Sequence, residues 1–168
     1  MAQLPFLDEF KSQMADGGAR PSLFTMELDY TPAGLSKAQY FCRVSEIPGS
    51  QQNLITQKFV GREIKFAGQR TFTNLTVTIL NDEGFRIRKA LDRWMDLING
   101  KLTNLAGYQQ AGLEGVGTVT QYAKTGGDLA TYKFFGMFPV NIAPIPLDWS
   151  NDAVIEEYTV EFAYQYWL

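Results

Sequence analysis

The chain has 168 residues, 45% of them hydrophobic and 14% aromatic, which is enough to bury one substantial core. A net charge of −3 offers no basic footprint for gripping a nucleic-acid backbone, and the complete lack of histidine excludes a Ser-His-Asp triad, a Cys-His pair and an imidazole metal site. The single cysteine, Cys42, excludes an internal disulfide framework; it stands in the alternating run QYFCRVSEI, where a small buried thiol is expected, in keeping with a reducing compartment of synthesis.

Residues 1–20 read as an N-terminal arm, with Leu4, Phe6, Leu7, Phe10 and Met14 at near-helical spacing before the break at DGGARP. These apolar residues are too few for a core of their own, so they either pack on the domain or dock on a neighbouring copy. The start lacks a cationic cluster and a continuous apolar run, so neither a secretory signal nor a membrane anchor is expected.

Residues 21–168 read as one domain dominated by period-2 alternation. SLFTMELDY puts Phe24, Met26, Leu28 and Tyr30 on one face and Thr25, Glu27 and Asp29 on the other. QYFCRVSEI repeats the pattern through Tyr40, Cys42 and Val44. The next segment, IPGSQQNLITQKFVGRE, is polar, punctuated by Gly and Pro, and longer than a hairpin needs, so it is expected to be a loop. TFTNLTVTIL then alternates through Leu75, Val77 and Ile79.

One convincing helix is predicted from near Asp82, a residue able to cap it, to Asn99 and Gly100. At 100° per residue Ile87, Ala90, Leu91, Trp94, Met95, Leu97 and Ile98 share an arc, opposite Arg86, Lys89, Asp92, Arg93 and Asp96. Phe85 projects from the charged side at the first turn. The glycine-rich YQQAGLEGVG matches no phosphate-binding pattern and reads as a mobile loop. GVGTVTQYA and TYKFFGMFPVNI add two strands, with Pro139 marking an edge or bulge, and a long strand is expected from Val154 to Leu168 with Tyr158, Val160, Phe162, Tyr164 and Tyr166 on one face. The fold class is therefore mainly β: two packed antiparallel sheets, a β-sandwich or partial barrel, with one flanking α-helix.

No catalytic constellation emerges. Adjacent Glu156 and Glu157 point to opposite strand faces; Glu157 and Glu161 share a face, where a solvated surface or, less simply, the acid pair of a cell-wall glycosidase are the alternatives. The acidic clusters NDEG and LDWSND lack the ligand ladder of a calcium loop and read as turn and cap chemistry; no cofactor or metal is expected. The sequon at Asn74 lies inside a strand pattern and is discounted. An acidic, strand-rich domain with long strands and an arm suits an assembly subunit whose heterologous contacts close into a ring.

Three stretches resemble the inner tail tube proteins of contractile-tailed, T-even-like bacteriophages: ARPSLF at 19–24, VGREIKFAGQRTFTNLTVTILNDEGFRIRKALDRW at 60–94 and FPVNIAPIPLDWSNDAVIEEYTVEFAYQYW at 138–167. The resemblance implies a tail-tube fold, a homo-hexameric ring that stacks into a tube inside a contractile sheath, contacts with a baseplate initiator and a tail terminator, and double-stranded DNA passing through the lumen without specific binding. It implies a virion protein made in the bacterial host cytoplasm. In that setting Glu27, Asp29, Glu157 and Glu161 are candidates for a phosphate-repelling lumen. Gln51, Gln52, Asn53, Leu54, Ile55 and Thr56 are candidates for ring-to-ring contact, and Arg86, Lys89, Arg93 and Asp96 for the sheath. The alternatives are a baseplate tube-initiator ring and the tube of a type VI secretion system or an extracellular injection particle.

Overall fold

Ten strands and two α-helices are found in the computed structural model, which describes residues 5–14, 17–38, 42–104, 112–150 and 154–168. In chain order they are α1 (Pro5–Gln13), β1 (Phe24–Tyr30), a 3-10 turn (Thr31–Ala33), β2 (Leu35–Ala38), β3 (Cys42–Val44), β4 (Gln51–Phe59), β5 (Arg62–Thr71) and β6 (Leu75–Leu80). After them come α2 (Arg86–Ile98), β7 (Gly115–Tyr122), β8 (Asp128–Ile142), β9 (Glu157–Ala163) and β10 (Tyr166–Trp167). All pairings are antiparallel: one sheet runs in the order β2-β1-β7-β8-β9-β6-β3, with β10 added to β8, and β4 and β5 form a separate two-stranded sheet.

The corner of this sheet is β8. Its first part pairs with β7, from Asp128 opposite Tyr122 to Met137 opposite Gly115, and its last residues pair with β9, from Phe138 opposite Ala163 to Ile142 opposite Val160. Just before the hand-over, where the β7–β8 register shifts between Phe134 and Met137, Gly136 takes φ 64°, a conformation that glycine adopts without steric cost, and the β8–β9 register slips between Pro139 and Asn141, which is the bulge Pro139 announced. The sheet thereby folds into two halves whose inner faces share one core: Met26, Leu28, Val119, Phe134 and Met137 from one, Val77, Ile79, Tyr158, Val160 and Phe162 from the other. At the free edge the Cys42 thiol, half-buried and pushed up to about 12 by desolvation, lies 3.9 Å from the Met26 sulfur, so β3 comes back beside β1 and the barrel is nearly closed. Two packed antiparallel half-sheets with a flanking helix match the expected fold class.

Helix α2 packs against the 3-10 turn, β2 and β8. Trp94 drives into the core: its ring stacks on Tyr30 at 4.2 Å and its Nε1 donates to the Leu113 carbonyl at 2.7 Å. Gly115 makes room for it, since a Cβ there would meet the indole at 2.7 Å and the Asp29 carbonyl at 2.9 Å.

Several expectations need correction. Helix α2 starts at Arg86, not near Asp82, because Phe85 takes a left-handed φ of 52° after a turn in which its amide donates to the Asp82 carbonyl. Asp82 still caps from outside the helix: its carboxylate accepts from the Arg86 amide at 2.9 Å and from Arg86 Nε at 2.7 Å, contacts that hold its pKa below the ordinary value. Leu97 is exposed, not on the core. The arm forms a second helix, α1, and the C-terminal run is not one strand: it breaks at Tyr164 and Gln165, and β10 crosses to pair Tyr166 with Phe135, taking Tyr166 off the buried face. Asn74 precedes β6 and does not lie within it. Tyr40 and Tyr108–Ala111, part of the expected mobile loop, lie outside the described residues.

Candidate functional site

The segment expected to be a loop, IPGSQQNLITQKFVGRE, supplies most of a long β-hairpin. Cross-strand register sets Ile55 against Phe66, Gln57 against Ile64 and Phe59 against Arg62, so Ile55, Phe59, Ile64 and Phe66 share one face; Lys58, Glu63 and Lys65 lie on the other. At 3.3 Å per residue the ten residues of β5 extend roughly 30 Å. Every residue of β4 is exposed, as is all of β5 except Gly68, and the two strands pack on each other rather than on the barrel. Phe59 is 67% exposed and Phe66 53%, values that inside a barrel strand would be near zero. The tip is a two-residue turn with Val60 at φ 47° and Gly61 at φ 77°. That geometry favours Asn-Gly; a β-branched residue there is strained. Gln51, Gln52, Asn53, Leu54, Ile55 and Thr56 form the first six residues of β4.

The four carboxylates expected together divide between the two half-sheets. Glu27 and Asp29 stand on the outer face of β1, opposite Thr118 and Val116 of β7, and form no ion pair among the described residues. Glu157 and Glu161 stand on the outer face of β9, across from Leu80 and Thr76 of β6, with Thr78 and Thr159 between them. Glu157 pairs with Arg43 on β3, and Glu161 accepts from Asn74 Nδ2 at 2.8 Å. Four residues along a strand separate the last two carboxylates by about 13 Å, beyond the ~9.5 Å upper spacing of a glycosidase acid pair.

On α2 the charged face is built as expected. Arg86, Lys89, Arg93 and Asp96 are exposed; Arg86 pairs with Asp82, Asp96 lies 3.6 Å from Lys101, and Lys89 donates to the Gly84 carbonyl. Arg88 instead turns inward, donating to the Ala143 carbonyl at 2.8 Å with its guanidinium 5.0 Å from the centre of the Tyr158 ring.

The apolar residues of the arm, expected either to pack on the domain or to dock on a neighbouring copy, do not pack on the domain: Phe6, Leu7, Phe10 and Met14 are all open to solvent. One surface went unremarked in the sequence, the connection from β8 to β9, a groove of about 360 Å³ lined by residues 145–149 and 154–157, with Trp149 fully exposed at its rim. Asp148 makes a local turn there, its Oδ1 accepting from the Ser150 amide and hydroxyl, the turn chemistry expected of LDWSND.

A two-half, nearly closed antiparallel barrel with one capping helix is the fold found in assemblies of contractile injection machines. It superposes on a chain of the PVC extracellular contractile injection system sheath-tube complex with TM-score 0.67 at 16% identity, covering 94% of this chain and 95% of that one. It superposes equally on a chain of the anti-feeding prophage baseplate, with TM-score 0.67 at 11% identity, covering 90% and 94%. The sequence model of the family described as phage tail tube protein matches residues 3–168, and the chain belongs to that family. It is 29% identical over 164 residues to the tail tube proteins gp19 of Enterobacteria phages T4 and T6, covering 96% of this chain and 99% of each relative. The chain is thus a structural subunit of a tail tube and a component of a virion.

Proposed function

We propose that six copies close into a ring, that rings stack into a hollow tube with the β4–β5 hairpin making the ring-to-ring contact, and that the tube carries double-stranded DNA through its lumen inside a contractile sheath. The observation that carries this reading is the hairpin itself: a two-stranded, amphipathic ribbon with no second layer in its own chain. Such a ribbon is marginal alone and gains its stability from a partner. Its strained Val60 at the tip, 85% exposed, is a cost the free subunit has no reason to bear. Gln51–Thr56 belong to that contact, and the apolar face of α1 supplies a second one.

The lumen wall is the outer face of β9 and β6. Helix α2 lies mainly against the 3-10 turn and β2, beside the half-sheet that bears Glu27 and Asp29, and reaches the other half through β8 and through Arg88 on Tyr158; its Arg86, Lys89, Arg93 and Asp96 face the sheath. The other half-sheet then faces inward, presenting Glu157 and Glu161 among Thr76, Thr78 and Thr159. Carboxylates interleaved with hydroxyls repel phosphate and give DNA nothing to adhere to. Glu27 and Asp29 are the lumen residues if the ring is turned the other way. A baseplate initiator starts the tube and a terminator ends it. Electron microscopy of concentrated protein, with a baseplate template where needed, tests the reading: six-fold rings or tubes are expected from the wild-type chain, and none when Gln51–Thr56 is replaced by a short Gly-Ser link. Normal tubes from the replaced chain contradict it.

A further inference from the structure

The hairpin and the groove between β8 and β9 have opposite charge. The hairpin holds Lys58, Arg62, Lys65 and Arg70 against Glu63 alone, although the chain as a whole is acidic. The groove holds Asp148, Glu156 and Glu157 and no basic lining residue. Glu157 is paired with Arg43, whereas Asp148 and Glu156 have no ion-pair partner among the described residues. Both surfaces also expose apolar area that a free subunit would bury: Ile55, Phe59, Ile64 and Phe66 on one, Leu147, Trp149 and Ile155 on the other.

Their placement is as telling as their chemistry. The hairpin leads into β6 at Leu75, whereas the groove meets the far end of β6, where the Asn81 amide and side chain both bond to Glu156. A subunit with complementary surfaces at opposite ends of one strand repeats head to tail, because the two surfaces of one copy cannot meet each other.

We propose that the hairpin of one copy docks in the groove of a second copy, its apolar face over Leu147, Trp149 and Ile155, with Arg62, which shares that face opposite Phe59, against Asp148 and Glu156. The inference rests on the reading of the hairpin as the ring-to-ring contact and names its receiving surface. Apolar burial supplies the affinity; the charges set orientation and exclude a hairpin-to-hairpin contact, in which like charges would meet.

A photoreactive benzoylphenylalanine in place of Gln57, on the apolar face of the hairpin, tests this in assembled tubes. After irradiation, mass spectrometry should find intermolecular adducts within residues 145–149 or 154–157. Adducts confined to other segments, α1 included, or no adducts from well-formed tubes, overturn the receiving surface while leaving the tube reading in place. Normal tubes from the Gly-Ser replacement chain overturn both. A charge exchange gives an independent reading. Asp148→Lys with Glu156→Lys should raise the protein concentration needed for assembly about tenfold or more, and adding Arg62→Glu to the same chain should recover part of it. A triple variant that assembles no better than the double one contradicts the pairing.

Discussion

The barrel and the hairpin are made of the same kind of strand and end in opposite states. In the barrel every apolar strand face finds a second layer: Val77, Val160, Phe134 and Phe162 are completely buried, and Trp94 closes the space beside Tyr30. In the hairpin Phe59 and Phe66 have equivalent positions on a strand face and remain open to water. Backbone pairing alone therefore does not decide burial; a second apolar surface does, and the described residues give the hairpin none. On the reading proposed above, the barrel is the part that makes the subunit stable and the hairpin the part that makes it assemble.

Substitutions in the two regions should separate these roles. The largest effect is expected from Phe59→Ser with Phe66→Ser: tube formation is lost under the electron microscope, while the denaturant midpoint of the free subunit stays within about 0.5 kcal/mol of wild type. A large drop in subunit stability would mean the hairpin is part of the folded body after all. Trp94→Ala should do the reverse, lowering subunit stability by about 3–5 kcal/mol in denaturant titrations, because it empties a fully packed site beneath α2 and strands the Leu113 carbonyl. An effect below about 1 kcal/mol would break the claim that α2 is tied to the core through this residue.

The smallest effect concerns the start of α2. The Arg86 contacts hold the folded-state pKa of Asp82 below its unfolded value, so their contribution is fully present at neutral pH and is lost as pH falls through the lowered folded value. Asp82→Asn should be slightly less stable than wild type at pH 7, and the difference should close in acid. A gap that persists below the carboxylate range would point to a role for Asp82 other than its charge.

The elements legible in the sequence were those with one buried face. Met26, Leu28 and Tyr30 in β1, Leu75, Val77 and Ile79 in β6, and Ile87, Ala90, Leu91 and Trp94 in α2 each follow the period of their element because a single core sits on one side. The hairpin was hidden because Gln57 and Arg62 interrupt its apolar face and a Val-Gly tip does not read as a hairpin turn. Gln51–Thr56 stood out by position and polarity alone, without the apolar residues of β5 that complete the same surface. The acidic residues show a different limit. A sequence tells which side chains share a strand face, but not on which half of a folded sheet that strand lies, so Glu27 and Asp29 could be grouped with Glu157 and Glu161 until the corner in β8 separated them.

Hydrogen exchange, compared between free subunit and assembled tube, tests the central claim most directly. The backbone amides of β4 and β5 should exchange rapidly in the free subunit and become strongly protected in the tube, while those of β6 and β9 are protected in both. Equal protection of the hairpin in the two states, whether high in both or low in both, would contradict an account in which its missing layer is supplied by another copy.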